Sequence, residues 1–100
     1  MVYTIRQTAE FAEWSANLRD REARARIAAR LRRAAGGNLG DVKPTSETGI
    51  SEMRIDYGPG YRIYFTRRGR TVVILLCGGA KKGQSNDIRR AKTLALELED

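Results

Sequence analysis

The sequence predicts a single domain of the α+β class. One hundred residues suffice for one domain with one core. A short β-prone segment is followed by two amphipathic helical patterns, and three strand patterns then follow one another before a last helix. Strands gathered in one part of the chain and helices in another are typical of α+β proteins. No repeat, low-complexity tract or linker divides the chain, so we expect one folded unit.

The first elements are a strand, Val2 to Arg6, and a helix that begins after Thr8. The Thr8 hydroxyl can cap that helix, whose apolar face carries Phe11, Trp14 and Leu18. The spacing of these three residues places them on one side of a helix, which should face the core.

A second helix is expected to begin after Asp20, a capping residue, and to end at Gly36-Gly37. Its apolar residues recur every three to four positions: Ala23, Ile27, Leu31 and Ala34. With hardly any linker, the two helices should fold back as a hairpin. Arg26, Arg30 and Arg33 share its polar side, which is either a solvated face or a docking surface for nucleic acid or an acidic partner.

A loop from Asn38 to Gly49 precedes two alternating segments, Ile50 to Tyr57 and Tyr61 to Thr66. The Gly-Pro-Gly sequence between them predicts a hairpin with Tyr57 opposite Tyr61. In that register Asp56 faces Arg62, Arg54 faces Tyr64 and Glu52 faces Thr66. Arg62 then has two interpretations, a cross-strand ion-pair partner of Asp56 or a ligand for an anion.

After a basic turn, Thr71 to Cys77 is apolar on both faces, as expected of an inner strand that is covered on both sides. This strand should end at Gly78-Gly79. The last helix, roughly Ser85 to Glu97, should bury a stripe of apolar residues: Ile88, Ala91, Leu94 and Leu98.

Composition limits the possible functions. The formal charge is +7, and because three acidic residues lie among the last four, residues 1–96 carry +10. Such a field favours a polyanion such as nucleic acid, or an acidic protein segment. Histidine is absent, which excludes Ser-His or Cys-His catalysis and histidine-based zinc sites, and the single Cys77 excludes an internal disulfide. We expect a cytoplasmic protein with no metal, no cofactor and no membrane span.

The polar residues that remain suit a phosphodiester. The hairpin carries Glu52, Arg54, Asp56, Arg62 and Tyr64 on one face, and Lys81, Lys82 and Gln84 follow the inner strand. Guanidinium groups bind phosphate oxygens and stabilise growing negative charge, while Tyr and Gln side chains can stack on bases or bond to them. Residues and spacing alone thus predict a basic domain with a polyanion-binding face, without an activity.

Several short motifs, read together, resemble a known family. They are Phe11-Ala12-Glu13-Trp14, Gly37-Asn38-Leu39-Gly40-Asp41-Val42-Lys43, Glu52-Met53-Arg54-Ile55, the segment YGPGYRIYF from Tyr57 to Phe65, and Gly78-Gly79-Ala80-Lys81-Lys82 followed by Gln84, Asp87-Ile88 and Ala91-Lys92. The chain resembles RelE/ParE-superfamily toxins of bacterial type II toxin–antitoxin modules, and looks most like the HigB-like addiction module killer proteins. The likeness runs nearly end to end.

The resemblance implies a RelE-like, microbial ribonuclease-like fold, with a helical hairpin packed on a twisted, mainly antiparallel sheet. It also implies a ribosome-dependent mRNA endoribonuclease in which a 2′-hydroxyl attacks the adjacent phosphate and no metal takes part. The implied partners are mRNA on the ribosome and a small cognate antitoxin, expected to be a helix-turn-helix DNA-binding protein. The absence of histidine departs from the members that use one, so the acid and base are not identified by the resemblance.

Carried over by position, Arg62 resembles the phosphate-binding arginine of the family, and Glu52 lies where some members place a carboxylate base. The full set of predicted catalytic residues is Arg62, Arg54, Lys81, Lys82, Glu52 and Tyr64. The predicted RNA-binding residues are Arg67, Arg68, Arg70, Lys43 and Gln84, and the predicted antitoxin-binding residues are Arg26, Arg30 and Arg33. Two other functions stay open: a ParE-type inhibitor of DNA gyrase, and a basic nucleic-acid-binding domain without catalysis.

Overall fold

The computed structural model describes residues 2–98. The elements are β1 (Thr4–Gln7), α1 (Ala9–Ala16), α2 (Arg21–Ala35), β2 (Val42–Pro44), β3 (Ser51–Ile55), β4 (Tyr61–Arg68), β5 (Val72–Ala80), a 3-10 turn (Lys81–Gly83) and α3 (Gln84–Glu97). The five strands form one sheet in the order β1-β5-β4-β3-β2. β1 runs parallel to β5, and the other neighbouring pairs are antiparallel. The predicted α+β class is confirmed.

Both predicted helix caps are present. The Thr8 hydroxyl accepts a hydrogen bond from the Phe11 amide and donates one to the Leu76 carbonyl, which fixes the start of α1 against β5. The Asp20 carboxylate accepts from the amides of Glu22 and Ala23 at the start of α2. Each cap satisfies amides that the first turn of a helix leaves unpaired.

The sheet is covered on both faces. On one face α1 and α2 pack over side chains of β3, β4 and β5, and this core includes Phe11, Ile27, Met53, Ile63 and Phe65. On the other face α3 packs over β4 and β5, in a core that includes Tyr64, Leu76, Cys77, Ala91 and Leu94. Among residues 2–98, no helix combines the length and apolar character needed to cross a bilayer.

The predicted hairpin register is wrong by two residues. The structure pairs Ile55 with Tyr61, so Arg54 lies opposite Arg62 and Glu52 lies opposite Tyr64. The predicted Asp56–Arg62, Arg54–Tyr64 and Glu52–Thr66 pairs are therefore not formed. The chain already turns at Tyr57, whose amide donates to the Ile55 carbonyl, and its hydroxyl donates to Asp20. A shift by two residues keeps each side chain on its predicted face, so the face assignment survives.

Two other expectations need correction. The segment predicted as a loop, Asn38 to Gly49, contains β2, which pairs with β3. β5 does not end at Gly78-Gly79 but runs through both glycines to Ala80.

Gly78 and Gly79 do not end β5, and their role is to allow close packing of the helices against this strand. A Cβ on Gly78 would lie 2.4 Å from the Trp14 ring on one face of the sheet, and a Cβ on Gly79 would lie 2.0 Å from the Asp87 carboxylate on the other. The missing side chains thus let α1 and α3 approach β5 from opposite sides.

Candidate active site

A polar cleft of about 230 Å³ opens at one end of the sheet, where β3, β4 and the 3-10 turn meet. Its lining consists of three cations, two carboxylates and a glycine: Arg54, Arg62, Lys81, Asp41, Asp56 and Gly60. Three of the predicted catalytic cations therefore share one cleft. A larger cleft, of about 380 Å³, lies beside α1 between Glu10 and Leu18, and none of the predicted site residues lines it.

The backbone explains how the three cations meet. Arg54 and Arg62 are directly opposite each other in the β3–β4 ladder and project from the same face of the sheet. The Lys81 amide donates to the Gly60 carbonyl at 2.7 Å, which fixes the 3-10 turn to the β3–β4 connection. Gly60 has φ +79°, and a Cβ there would stand 3.5 Å from the Lys81 side chain and 3.6 Å from Arg62 Nη1. The positive φ therefore favours glycine at this position, whereas a Cβ there would make only ordinary van der Waals contacts.

Arg62 is in contact with the buried carboxylate of Glu52. Its Nε lies 3.3 Å from Glu52 Oε2, and the two side chains retain only 12% and 6% of their exposed area. Gln84 at the start of α3 donates to the same Glu52 oxygen at 3.0 Å. Arg62 Nη1 also donates to the Tyr61 carbonyl at 3.2 Å. These contacts fix the guanidinium at the edge of the cleft, and they place Glu52 and Gln84 behind it.

Arg54 makes a different contact, with Asp41 in the segment before β2. Arg54 donates to Asp41 Oδ1 from Nη2 at 2.7 Å and from Nε at 3.2 Å, and both side chains are exposed. The hydrogen bonds from Arg54 hold the pKa of the Asp41 carboxyl below its ordinary value. Because the pair is exposed, a phosphate could compete with Asp41 for this guanidinium.

Three predicted catalytic residues do not line the cleft: Glu52, which lies behind Arg62, and also Tyr64 and Lys82. Tyr64 is fully buried beneath α3, and its hydroxyl has no hydrogen-bond partner among the described residues. Burial raises the pKa of that hydroxyl, and the charge of Glu52 adds to the effect. Lys82 is exposed in the 3-10 turn but is absent from the cleft lining, which Lys81 reaches. In this conformation RNA could not touch Tyr64.

The predicted RNA-binding residues are spread over the sheet. Arg67 and Arg68 lie at the far end of β4 and Arg70 in the following turn, so Arg67 stands roughly 17 Å along the strand from Arg62. The Arg67 guanidinium lies 5.5 Å from the centre of the Tyr3 ring. Lys43 is exposed on β2, opposite Glu52 and so on the cleft face of the sheet. The predicted RNA-binding set therefore does not form one continuous patch with the cleft.

The three arginines of α2 do not form one solvated face. Arg33 is exposed, and Arg26 pairs with Glu22 at 2.9 Å and lies 4.6 Å from the centre of the Tyr57 ring. Arg30 instead points inward.

Arg30 donates hydrogen bonds to backbone carbonyls on two segments. The acceptors are Arg54, Leu39 and Asp41, at 2.5, 3.0 and 3.2 Å. Gly40, at φ +73°, leaves the space that the Arg30 guanidinium fills. Arg30 is therefore a structural clamp that ties the segment before β2 to the end of β3. Arg30 is only partly exposed, so a solvated cationic face does not describe it.

The two carboxylates that line the cleft, Asp41 and Asp56, are not among the residues predicted from the sequence to be catalytic or RNA-binding. Asp56 is predicted to lie on the polar face of the hairpin, opposite Arg62, and Asp41 belongs to the Gly37–Lys43 motif, to which no role is assigned. The signal that could have found Asp56 is its position just before the Gly-Pro-Gly turn, which places it at the mouth of the hairpin. Among residues 2–98, no group of three or more His, Cys, Asp or Glu residues is arranged to hold a metal ion.

Comparison with known proteins identifies the family to which the chain belongs. The family model "Phage derived protein Gp49-like (DUF891)" matches residues 11–98. A protein of Haemophilus influenzae strain Rd, described as uncharacterized, is 46% identical over 98 residues, which is 98% of each chain. The match includes most of α1, all of α2 and α3, and the whole sheet except β1, so it contains every residue that lines the cleft. The chain belongs to the Gp49-like family of phage-derived proteins, a family associated with toxin–antitoxin modules and related to addiction module killer proteins.

Proposed function

We propose that this protein is the toxin of a type II toxin–antitoxin system and acts in the cytoplasm as a HigB-like, ribosome-dependent mRNA endoribonuclease of the RelE/ParE superfamily. The observation that carries this proposal is the meeting of Arg54, Arg62 and Lys81 at one cleft. Three cations around one small site can bind a phosphodiester and stabilise the extra negative charge of its transition state. The family association with toxin–antitoxin modules supports the assignment as a toxin, and the endoribonuclease activity rests on the cleft.

The proposed role of each cation follows from the contacts and the exposure of its side chain. Arg62, fixed by the buried Glu52, is suited to a preorganised contact with the scissile phosphate. Arg54 and Lys81 are more exposed and can adjust to the RNA backbone on either side. The chemistry is attack of a ribose 2′-hydroxyl on the adjacent phosphorus, which yields a 2′,3′-cyclic phosphate and a 5′-hydroxyl. In this proposal the protein cations supply the charge stabilisation, and no metal takes part.

The decisive experiment combines purified protein with translating ribosomes and a defined mRNA, and maps new 5′ ends by primer extension. A gyrase supercoiling reaction is run beside it. Cleavage without loss of supercoiling supports the proposal. Inhibition of supercoiling with intact mRNA would instead favour the gyrase inhibitor, and RNA binding with a steep salt dependence but no cleavage would favour a binding domain.

Metal independence is tested in the same reaction. A chelator selective for transition metals, which leaves the ribosomal Mg²⁺ in place, should not change the cleavage rate. A stripped protein that regains activity only when manganese is added would contradict the proposed metal-free mechanism.

We also propose that the cognate antitoxin, expected to be a small helix-turn-helix protein, covers basic surface with an acidic or amphipathic segment. A cleft of about 240 Å³ along α2 is lined by Arg26, Arg30, Arg33 and Ala29 of the helix and by Ile55 and Asp56 of the sheet. Charge reversal at the exposed Arg33 should weaken the complex, because charge complementarity contributes to association. Arg24→Glu, at an exposed position of the same helix outside this cleft, is the matched control.

A further inference from the structure

Three carboxylates lie at or behind the cleft, and they differ in what surrounds them. Asp41 and Asp56 line the cleft, whereas Glu52 lies behind Arg62. An endoribonuclease that uses a 2′-hydroxyl needs a group to take the hydroxyl proton, and this chain has no histidine to do so. The carboxylates are therefore the groups to compare.

Glu52 is poorly placed to act as a base. Its side chain is 6% exposed, and the Oε2 atom is in contact with both Arg62 and Gln84. A base must reach the proton directly or through one water. Arg62 stands between Glu52 and the cleft, so Glu52 is better suited to position Arg62 than to touch RNA.

The Asp41 carboxylate is exposed, but it already accepts hydrogen bonds from Arg54. Arg54 donates two hydrogen bonds to one of its oxygens, and these bonds lower the pKa of the carboxyl. A carboxylate with a lowered pKa is a weaker base.

Asp56 is the carboxylate of the cleft that remains available. Its side chain is exposed, and among residues 2–98 it makes no hydrogen bond or ion pair. Its backbone is nevertheless held in place, because the next residue, Tyr57, is bonded to Ile55 through its amide and to Asp20 through its hydroxyl. Arg26 lies over the Tyr57 ring and adds a further contact. A reactive group on a fixed backbone satisfies the geometric demand of catalysis.

We propose that Asp56 is the general base of the endoribonuclease, an inference that rests on the function proposed above. The Asp56 carboxylate accepts the proton of the ribose 2′-hydroxyl as the 2′-oxygen forms its bond to phosphorus. The bond from phosphorus to the 5′-oxygen breaks, and that oxygen takes a proton from water. Arg62 and Lys81 stabilise the charge on the phosphoryl oxygens, and Asp56 then releases its proton to solvent.

The test compares single-turnover cleavage of ribosome-bound mRNA by the wild-type protein, Asp56→Asn, Asp56→Glu and Glu13→Gln. Glu13 is an exposed carboxylate on α1 outside the cleft and serves as the control. We expect Asp56→Asn to lower the rate by about 10²- to 10⁴-fold, the usual contribution of a general base, and Asp56→Glu to restore part of it. Binding to an mRNA with a 2′-deoxy nucleotide at the cleavage position should be unchanged.

The outcomes separate the two proposals. If the wild-type protein cleaves and Asp56→Asn cleaves at the same rate, Asp56 is not the base and the proposed function stands. If Asp56→Asn loses binding to the 2′-deoxy mRNA in proportion to cleavage, its role is in binding and the inference fails. If the wild-type protein does not cleave mRNA at all, the proposed function is wrong, and the inference about Asp56 is then wrong as well. Far-ultraviolet circular dichroism and melting of each variant confirm that the fold is intact.

Discussion

The Nε atom of Arg62 lies 3.3 Å from the buried carboxylate of Glu52, and this contact replaces the exposed ion pair with Asp56 that the sequence suggested. The difference matters because a cross-strand surface pair is worth about 0.2–1 kcal/mol. Removing one partner of a buried pair leaves an uncompensated charge and costs about 3–5 kcal/mol. Arg62 is therefore expected to contribute to stability as well as to the proposed reaction.

Arg62→Ala should lower the free energy of unfolding by about 3–5 kcal/mol, measured by urea denaturation, because Glu52 is left buried without its cation. The double variant Arg62→Met/Glu52→Gln removes both charges and should be more stable than Arg62→Ala. Both variants should cut mRNA at least about 10²-fold more slowly than wild type, since a preorganised cation is lost in each. Arg24→Ala, at an exposed position of α2, should change neither property. A double variant that regains wild-type cleavage would show that Arg62 acts only in folding.

Arg30→Ala should destabilise the protein more than Arg33→Ala. Arg30 bonds to three backbone carbonyls, whereas Arg33 is exposed on the same helix. Hydrogen bonds to a charged group contribute about 1.5–3 kcal/mol, so the loss of the Arg30 clamp should cost at least about 2 kcal/mol. Thermal melting of the two variants checks this. Equal melting temperatures would contradict the clamp.

Gly78→Ala should destabilise the fold by about 1–3 kcal/mol, the usual cost of overpacking. The new Cβ would lie 2.4 Å from the Trp14 ring, so the ring or the strand must shift. The same substitution should cost less in a Trp14→Ala background, and a double-mutant cycle measures the coupling. Gly36→Ala is the control, because Gly36 has φ −77° and its nearest neighbours would be 3.5 Å away. Additive effects of Gly78→Ala and Trp14→Ala would show that the two residues do not meet.

Asp87→Asn should stabilise the protein at neutral pH and have a smaller effect in acid. Burial raises the pKa of the Asp87 carboxyl above 3.8 in spite of its position in the first turn of α3. When the pKa of a carboxyl is higher in the folded than in the unfolded protein, its contribution to the free energy of unfolding is complete at a pH below the unfolded-state pKa. That contribution is lost as the pH rises through the folded-state pKa. The difference in melting temperature between Asp87→Asn and wild type should therefore be larger at pH 7 than at pH 3.

The carboxylates with lowered pKa values, Glu10, Asp20 and Asp41, titrate in both proteins, so their contributions cancel in that difference. A difference that is the same at both pH values would contradict burial of an ionised Asp87.

The sequence by itself determined the features that depend on near neighbours along the chain. The caps at Thr8 and Asp20 were predictable because a capping side chain bonds to amides only two or three residues away. The assignment of Arg54 and Arg62 to the same face of the sheet followed from the two-residue period of a strand. The membership of Arg54, Arg62 and Lys81 in one site was predicted from family resemblance, and the structure brings these residues to one cleft.

Only the tertiary structure decided which residues touch. The pairing of Arg54 with Arg62 depends on where the β3–β4 connection begins to turn, and that turn is held by a contact between Tyr57 and Asp20 on a distant helix. Arg30 looked like its exposed neighbours because helical spacing does not reveal that a carbonyl of Arg54 and two from the segment before β2 converge on it. Tyr64 appeared on a polar face, but α3 covers it. Contacts between residues far apart in the chain arise only when the elements pack, so local periodicity cannot specify them.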